Sequence, residues 1–368
     1  MERKTRVLVV DDSATMRRLL TQILASDPQI EVIGTAPDPY VARDKIKALN
    51  PDVLTLDVEM PRMDGLSFLR NLMRLRPMPV VMCSTLTQAG ATVTLDALSL
   101  GAIDFIAKPA VQNAEELRAV AEEITAKVKA AARAQVRPSR EAASLVVAER
   151  YDASVILPKR VRTLPRRRGE RLIAIGASTG GTEAIKELLM GLPEDSPAVV
   201  ITQHIPKAFS GPFARRMNAH SALEVCEAED GQPILAGHAY IAPGDQHLLV
   251  EPDGVGHRCR LNGGPPVNRH RPSVDVLFRS VAQSVGANAI GVMLTGMGRD
   301  GAAGMLEMRE AGAINLVQDE ATSVVWGMPR AAWEAGAAET ILPLGEIAAR
   351  VMETARLPHP ALRLKDPA

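Results

Sequence analysis

The stretch Leu172-Ile-Ala-Ile-Gly-Ala-Ser-Thr-Gly-Gly181 decides how the C-terminal half of the chain is expected to fold. The apolar run 172–175 predicts a buried strand, and the glycine-rich turn around Ser178 leads into a helix predicted over residues 183–190. A serine on such a turn exposes its hydroxyl beside N–H groups that can stabilise an oxyanion. Taken alone, however, a glycine-rich strand-to-helix turn more often binds a phosphate or a dinucleotide.

The sequence downstream of this turn favours catalysis over dinucleotide binding. The spacing is not G-x-G-x-x-G, no phosphate-loop lysine follows, and the strand predicted at 199–201 leads to His204 instead of an acidic residue. A strand predicted at 290–294 runs into a second glycine-rich turn that carries Asp300. If the three strands are neighbours, Ser178, His204 and Asp300 provide a nucleophile, a general base and a carboxylate that orients the base. A lone histidine at a strand end is as often a surface or capping residue, and the order Ser, His, Asp differs from that of the α/β-hydrolases.

Strands alternate with helices in two regions, residues 1–130 and 170–368. The first region predicts a five-stranded parallel sheet, and the second predicts a doubly wound, mostly parallel α/β domain. In the first region we expect strands at 7–10, 32–33, 53–56, 80–83 and 105–107, with helices at 15–25 and 114–134. In the second region we expect further strands at 239–241, 247–250 and 314–317, and a last helix at 344–356.

Residues 131–169 lack this alternation and are predicted to form a linker. Pro138, Pro158 and Pro165 interrupt the segment, and seven basic residues between positions 159 and 171 crowd its end. The composition favours a solvated linker. The alternative is a basic dock for an acidic surface.

Acidic side chains follow two of the strands predicted in the first region. Asp11 and Asp12 come after the first strand, Asp57 ends the third, Ser84 ends the fourth and Lys108 follows the fifth. Because the carboxyl ends of parallel strands share one rim, we expect these residues to converge. Three carboxylates at one rim favour Mg²⁺, and Lys108 and Ser84 could then contact an added phosphoryl group. Taken singly, Asp11 and Asp12 are more often helix caps and Asp57 is more often a turn residue, and only the joint pattern favours the cation site.

The same elements, in this order, resemble a response-regulator receiver domain over residues 1–130. The motifs that carry the resemblance are Asp11-Asp12, the stretch from Asp57 to Gly65, Ser84 and Lys108-Pro109. The resemblance implies a flavodoxin-like fold in which Asp57 accepts a phosphoryl group from a histidine kinase. It implies that Mg²⁺ is held by Asp11, Asp12, Asp57 and the backbone carbonyl of Glu59. It also implies a switch formed by Ser84, Phe105 and Lys108, with phenylalanine in place of the commoner tyrosine.

Five blocks of the second region resemble the catalytic domain of the chemotaxis protein-glutamate methylesterases. They are Ile175–Gly181, Gln203–Pro206, Ile241–Gly244, Arg271–Phe278 and Leu294–Gly301. The resemblance implies hydrolysis of glutamate γ-methyl esters on methyl-accepting chemoreceptors, with release of methanol, and raises deamidation of receptor glutamines as a further activity. It implies no metal or organic cofactor at the esterase site.

The same resemblance suggests roles for residues around the serine. The backbone N–H of Met297 is the expected oxyanion donor, and that of Thr179 is a second candidate. Within the block that starts at Arg271, we expect Ser273 to cap a helix, while Arg271 is an alternative substrate contact. Since a phosphoacceptor is fused to an esterase, we expect the resting receiver to cover the serine rim and phosphorylation to weaken that contact.

Composition narrows the other possibilities. The 368 residues carry 43 Lys+Arg and 43 Asp+Glu, so the zero formal charge gives no general attraction to nucleic acid or to an anionic membrane. No apolar run approaches the ~18 residues of a membrane span, so membrane insertion is not expected. Cys83, Cys226 and Cys259 lack metal or C-x-x-C spacing, which predicts a reducing, cytoplasmic location.

Three rival functions remain open from the sequence. They are a receptor-binding module without catalysis, a nucleotide-dependent oxidoreductase and a transcriptional regulator. The Ser–His–Asp set argues against the first, the spacing of the turn against the second, and the lack of a helix-turn-helix pattern against the third.

Overall fold

The computed structural model describes residues 3–60, 65–85, 87–108, 114–134, 152–158 and 171–357. The chain divides into two compact units, residues 1–142 and 143–368. Predictions that concern Pro109, Pro138, Pro165 and the basic residues at 159–168 lie outside the described residues. Among the helices that are described, none combines the length and the apolarity that a membrane crossing requires.

The first unit is built on five parallel strands that are covered by helices. Its strands are β1 (Thr5–Val10), β2 (Ile30–Ala36), β3 (Val53–Asp57), β4 (Val80–Ser84) and β5 (Asp104–Ala107). Its helices are α1 (Ala14–Ala25), α2 (Pro39–Leu49), α3 (Gly65–Leu75), α4 (Gln88–Ser99) and α5 (Ala114–Arg133). The strand order is β2-β1-β3-β4-β5, which confirms the predicted five-stranded parallel sheet. Because helices cover the sheet, its strands are mostly apolar, and Val7–Val10 in β1 are fully buried.

The beginning of α1 decides between two interpretations of the first aspartates. Ser13 is the N-cap of this helix, and its side chain accepts a hydrogen bond from the Met16 N–H. Asp11 instead accepts a bond from the Ser13 N–H and stays buried at the end of β1. The alternative that Asp11 and Asp12 cap the helix is therefore wrong, and both remain free to form the rim.

The second unit contains the larger sheet and most of the helices. Its strands are β6 (Leu172–Ala177), β7 (Ala198–Gln203), β8 (Glu224–Glu227), β9 (Pro233–Ile234), β10 (His238–Ile241), β11 (His247–Asp253), β12 (Gly256–Asn262), β13 (Ala289–Met293), β14 (Ile314–Gln318) and β15 (Thr340–Leu342). Its helices are α6 (Gly181–Met190), α7 (Lys207–His220), α8 (Val274–Ser284), α9 (Ala302–Glu310), α10 (Met328–Glu334) and α11 (Leu344–Arg356). Seven parallel strands follow the order β15-β14-β13-β6-β7-β10-β8, which confirms the doubly wound α/β prediction.

One predicted strand lies outside the parallel sheet that the alternation of strands and helices suggested. The strand at 247–250 is part of β11, which pairs antiparallel with β12 in a separate sheet of order β11-β12-β9. Only Gly254 and Val255 connect β11 to β12, and a parallel pairing needs a crossover of a dozen or more residues. The hairpin geometry therefore excludes β11 from the parallel series.

The described part of the predicted linker, residues 152–158, belongs to the second unit and packs within it. Ala153 is buried in a small apolar cluster with Leu249, Val267 and Val276. Arg279 of α8 donates from Nη1 to the Leu157 carbonyl over 3.0 Å. This short segment is therefore held by both apolar burial and hydrogen bonding.

Candidate active site

The three predicted triad residues follow three adjacent strands of the seven-stranded sheet. Ser178 follows β6, His204 follows β7, and Asp300 lies in the turn between β13 and α9. β6 pairs with β7 on one side and with β13 on the other, so both neighbours end beside the serine. The structure thus brings together side chains that are far apart in the sequence.

The imidazole of His204 lies between the other two groups. Its Nδ1 is 3.1 Å from Ser178 Oγ, and its Nε2 is 2.8 Å from Asp300 Oδ2. An ionised carboxylate can only accept, so Nε2 carries the hydrogen, and Nδ1 is left to accept from the serine hydroxyl. This is the arrangement in which a histidine removes a proton from a nucleophile while a carboxylate orients it.

Asp300 is surrounded by hydrogen-bond donors. Besides His204, its Oδ2 accepts from the Val274 N–H at 2.6 Å. Its Oδ1 accepts from Asn268 Nδ2 and from Ser273 Oγ, each at 2.8 Å. Burial by itself raises the pKa of Asp300, but the hydrogen bond and charge of His204, with further contributions from its neighbours, hold the pKa well below its usual range. The carboxylate is therefore charged, fixed and unable to take the histidine proton.

Glycine is required where the serine turn meets a neighbouring loop. Gly180 has φ +76°, which a residue with a side chain rarely adopts. A Cβ atom there would also lie 2.6 Å from Cβ of Val324. The glycine-rich sequence after β6 thus reflects close packing around the serine.

The loop after β13 approaches the serine from the other side. The Ser178 N–H donates to the Thr295 carbonyl at 3.1 Å, and the Gly296 N–H donates to the Val325 carbonyl at 3.0 Å. Within the described residues, the Met297 N–H donates to no acceptor. The carbonyl of Thr179 accepts from the Thr295 hydroxyl. The oxyanion roles of Met297 and Thr179 stay predictions, and the position of Met297 is compatible with its role.

Sequence reasoning missed a second layer of polar residues behind the triad. The His270 ring stacks on that of His204, with the centroids 3.7 Å apart and the planes 12° apart. Asn268 donates from Nδ2 to both Asp300 and Asp275, the latter at 2.6 Å. Burial, followed by the charge of Asp300, raises the pKa of Asp275 to about 7. The sequence could have indicated these residues by position alone, because Asn268 and His270 lie within three residues before the block that begins at Arg271.

Within that block, the capping role expected of the Ser273 side chain needs correction, and the substrate contact considered for Arg271 stays a prediction. Ser273 occupies the N-cap position of α8, but its hydroxyl makes no capping bond and donates to Asp300 instead. The backbone N–H groups at the start of α8 already have Asp300 as an acceptor, so the serine side chain is not needed there. Arg271 donates from Nη1 to the carbonyls of Gly263 and Gly264, so its side chain stabilises the loop that contains these two glycines.

The predicted acidic rim of the first unit is also formed. Asp11, Asp12 and Asp57 each offer a carboxylate oxygen, and these oxygens lie within 4.8 Å of one another. Lys108 Nζ lies 2.7 Å from Asp57 Oδ2 and 3.3 Å from Asp11 Oδ2. Burial raises the pKa of Asp57 to about 6, with repulsion from Asp11 adding to it and Lys108 opposing it. Glu59 lies beside the rim, and its N–H donates to Asp57 Oδ1 at 3.2 Å.

This rim fits a hard divalent cation. Its donors are oxygen atoms, and their mutual repulsion is the kind of strain that Mg²⁺ relieves. Asp12 is exposed while Asp11 and Asp57 are buried, so the cluster opens to solvent on one side. An opening of this kind is what a phosphoryl group would need for access.

The remaining predicted receiver residues lie on the strands next to this rim. Ser84 is buried at the end of β4, and its hydroxyl donates to the Thr85 carbonyl at 3.2 Å. Phe105 in β5 is buried, and its carbonyl accepts from Lys127 Nζ at 2.8 Å. The Lys127 ammonium also lies 5.0 Å from the centre of the Phe105 ring. The aromatic ring is therefore held inward by a lysine of α5.

The geometry defines a serine hydrolase site on a parallel α/β sheet, joined in one chain to an aspartate rim of the phosphoacceptor type. Residues 173–351 match the CheB methylesterase family, and residues 7–122 match the response regulator receiver domain. The chain therefore belongs to the CheB methylesterase family, with a receiver domain ahead of the methylesterase domain, as both resemblances predicted.

Relatives support this assignment over nearly the whole chain, and a solved structure supports it over half of the chain. The chain is 56% identical to a protein-glutamate methylesterase/protein-glutamine glutaminase of Hydrogenovibrio crunogenus, over 95% of this chain and 98% of that protein. It is 59% identical to protein-glutamate methylesterase/protein-glutamine glutaminase 1 of Xanthomonas campestris pv. campestris, over 96% and 98%. The catalytic domain of the Thermotoga maritima CheB methylesterase matches with 35% identity and a TM-score of 0.50, covering 50% of this chain and 99% of that domain.

Proposed function

We propose that this chain hydrolyses glutamate γ-methyl esters on methyl-accepting chemoreceptors, releases methanol, and acts in chemosensory adaptation. The observation that carries the proposal is the continuous contact from Ser178 Oγ through the His204 ring to Asp300. The relatives are also named protein-glutamine glutaminases, and we extend the proposal to deamidation of receptor glutamines. Both reactions pass through the same acyl-enzyme, with methanol or ammonia as the leaving group.

The reaction follows from the hydrogen-bond directions. Ser178 Oγ attacks the ester carbonyl while His204 Nδ1 takes its proton, and Asp300 stabilises the imidazolium through Nε2–H. The tetrahedral intermediate collapses, and His204 returns the proton to the departing methoxide. A water molecule, deprotonated by the same Nδ1, then attacks the acyl-enzyme. The glutamate carboxylate leaves, and the serine hydroxyl is restored.

The negative oxygen of the tetrahedral intermediate needs N–H donors. We assign the Met297 N–H as the first donor and the Thr179 N–H as the second. Support for Met297 comes from its neighbours, since the N–H groups of Thr295 and Gly296 are already used in holding the loop. Loss of one such donor typically costs about 2.7–4 kcal/mol of barrier.

We assign Asp57 as the acceptor of a phosphoryl group from a histidine kinase. When bound, Mg²⁺ would neutralise charge on the phosphoryl oxygens, and Asp11, Asp12, Asp57 and the Glu59 carbonyl would hold it. Lys108, which now pairs with Asp57, is placed to pair with the added phosphoryl group.

The response to phosphorylation and the setting of the enzyme complete the proposal. Phosphorylation of Asp57 regulates the esterase, and Ser84 and Phe105 transmit the conformational change that phosphorylation causes. The partners are thus a histidine kinase and the chemoreceptors, and the setting is the cytoplasm. The three cysteines are free thiols, which agrees with a reducing compartment.

Methanol release from methylated receptor membranes tests this function. The full chain is incubated with the membranes, with and without a small phosphodonor. We expect release by the wild type, a faster rate with phosphodonor, and no release by Ser178→Ala. Asp57→Asn is the matched control, because it keeps the triad and should remove only the response to phosphodonor. Full demethylation by Ser178→Ala would refute the assignment of the nucleophile.

A further inference from the structure

Two buried polar side chains outside the triad connect the serine turn to the loop that carries Met297. Thr295 is 1% exposed and lies directly after β13 and Leu294, while Gln318 is 0% exposed and ends the neighbouring strand β14. Neither side chain is hydrogen-bonded to His204 or Asp300. Burial of two polar groups beside a catalytic loop calls for a physical explanation.

Thr295 makes a hydrogen bond with each of the elements around it. Its carbonyl accepts from the Ser178 N–H at 3.1 Å, and its hydroxyl donates to the Thr179 carbonyl at 3.0 Å. The same hydroxyl oxygen accepts from the Val325 N–H at 3.0 Å. Through its carbonyl and its hydroxyl, this one residue therefore holds the nucleophile's turn, the loop after β13 and the segment around Val325 together.

Gln318 holds the other side of the same loop. Its Oε1 accepts from the Thr295 N–H at 2.7 Å, and its Nε2 donates to the Thr322 carbonyl at 2.9 Å. Its backbone carbonyl accepts from Trp326 Nε1 at 3.1 Å. The amide thus fixes Thr295 against the segment that runs from Thr322 to Trp326.

Gly296 leaves no freedom between Thr295 and Met297. Its N–H donates to the Val325 carbonyl, and its own carbonyl accepts from the Met328 N–H at 2.7 Å. A Cβ atom at Gly296 would lie 2.9 Å from Cβ of Ser178. Because a peptide group is planar, the Met297 N–H is oriented by the bond from Met328 to the Gly296 carbonyl. Thr295 and Gln318 fix the residue before Gly296, and Thr295 also holds the Val325 segment to which Gly296 is bonded, so together they set the position of that peptide group.

We infer that Thr295 and Gln318 are positioning residues for the Met297 oxyanion donor, an inference that rests on the proposed esterase function. They touch no reacting atom. Their bonds fix the Met297 N–H relative to Ser178 Oγ before substrate arrives. A donor that is already aligned needs no reorganisation when the negative oxygen forms, so loss of the alignment lowers kcat and leaves substrate binding unchanged.

The test uses the full chain and methylated receptor membranes. Thr295→Val keeps the shape and removes the hydroxyl, while Thr295→Ser restores the hydroxyl. We expect Thr295→Val to lower kcat about ten- to a hundredfold, because small misplacements of catalytic groups have effects of this size. We expect KM within about twofold of wild type, and Thr295→Ser within about threefold of wild-type kcat.

Ser196→Ala is the matched control for a purely structural effect. Ser196 is fully buried before the start of β7, at the edge of the sheet opposite His204, and its hydroxyl donates to the Pro193 carbonyl at 2.7 Å. The Ser196→Ala variant should have a lower melting temperature and the kcat of the wild type. If Thr295→Val does not fold, Gln318→Met gives the second measurement, since it keeps the length of the side chain and removes both hydrogen bonds of the amide, to the Thr295 N–H and to the Thr322 carbonyl.

The outcomes separate the two proposals. Normal kcat in folded Thr295→Val, or in Gln318→Met where that variant is needed, overturns this inference and leaves the esterase function intact. A kcat loss that Thr295→Ser does not reverse also overturns it. If the wild type itself releases no methanol, the proposed function fails, and the positioning roles fail with it.

Discussion

Replacement of Asp300 by asparagine is expected to lower kcat about 10⁴-fold. The size of this loss follows from the hydrogen-bond donors that face the Asp300 carboxylate. His204 and Val274 donate to Oδ2, and Asn268 and Ser273 donate to Oδ1. An amide NH₂ placed at either oxygen position would therefore oppose two donors at 2.6–2.8 Å.

The two orientations of the asparagine have different consequences. If the NH₂ group faces His204, the imidazole must accept at Nε2, so Nδ1 carries the hydrogen and cannot remove the proton of Ser178. If it faces Asn268 and Ser273, two buried donors lose their acceptor, at about 1–3 kcal/mol each. A wrong tautomer costs about 10⁴ in kcat in a Ser–His–Asp triad, which corresponds to about 5.4 kcal/mol at 1.36 kcal/mol per tenfold.

The assay is methanol release from methylated receptor membranes, with the melting temperature measured in parallel. Ser273→Ala is the matched control, because it removes one donor to Asp300 and leaves the carboxylate with its other partners. We expect the control to lose less than about tenfold in kcat. A folded Asp300→Asn variant within tenfold of wild type would show that the carboxylate does not orient the base.

Three further predictions concern packing and stability. Gly296→Ala should lower both kcat and the melting temperature, since its Cβ would lie 2.4 Å from Met328 Sδ; wild-type values for both would contradict the packing argument. Arg279→Leu should lower the free energy of unfolding in urea by about 3–5 kcal/mol, because it leaves buried Glu307 without the partner that lies 2.6 Å away, and adding Glu307→Leu should recover much of the loss. Burial lowers the pKa of His247 from 6.5, so the stability that the neutral imidazole contributes is present above pH 6.5 and is lost as the pH falls through the lowered pKa. His247→Gln should therefore lose less stability in acid than the wild type does. Identical profiles of unfolding free energy against pH for the two proteins would refute this prediction.

The triad positions could be predicted because each lies where an apolar run ends. The runs before Ser178, before His204 and at 290–294 are parallel strands, and the ends of such strands meet at one edge. The same logic located Asp57 and Lys108. Strand ends are thus the part of an α/β site that periodicity can locate.

The supporting residues could not be predicted, because their partners come from irregular segments. Asn268 has φ +51° in a loop between β12 and α8, and no period reveals which carboxylates its amide will reach. The roles of Thr295 and Gln318 are visible only in the folded structure, where the loop after β13 meets the segment that contains Thr322 and Val325. The hairpin of β11 and β12 shows the same limit, since apolar residues define a strand but not the sheet it joins.

The position of β6 between its two partners has a consequence for incomplete copies of the enzyme. Ser178 and His204 belong to strands made early in this unit, whereas Asp300 arrives with a strand that must insert on the far side of β6. A chain whose synthesis stops before β13 contains the nucleophile and the imidazole without the anion that fixes the proton. Molecules that end before this strand therefore lack the residue that orients the base, and full activity requires the part of the chain that follows residue 288, about a fifth of its length.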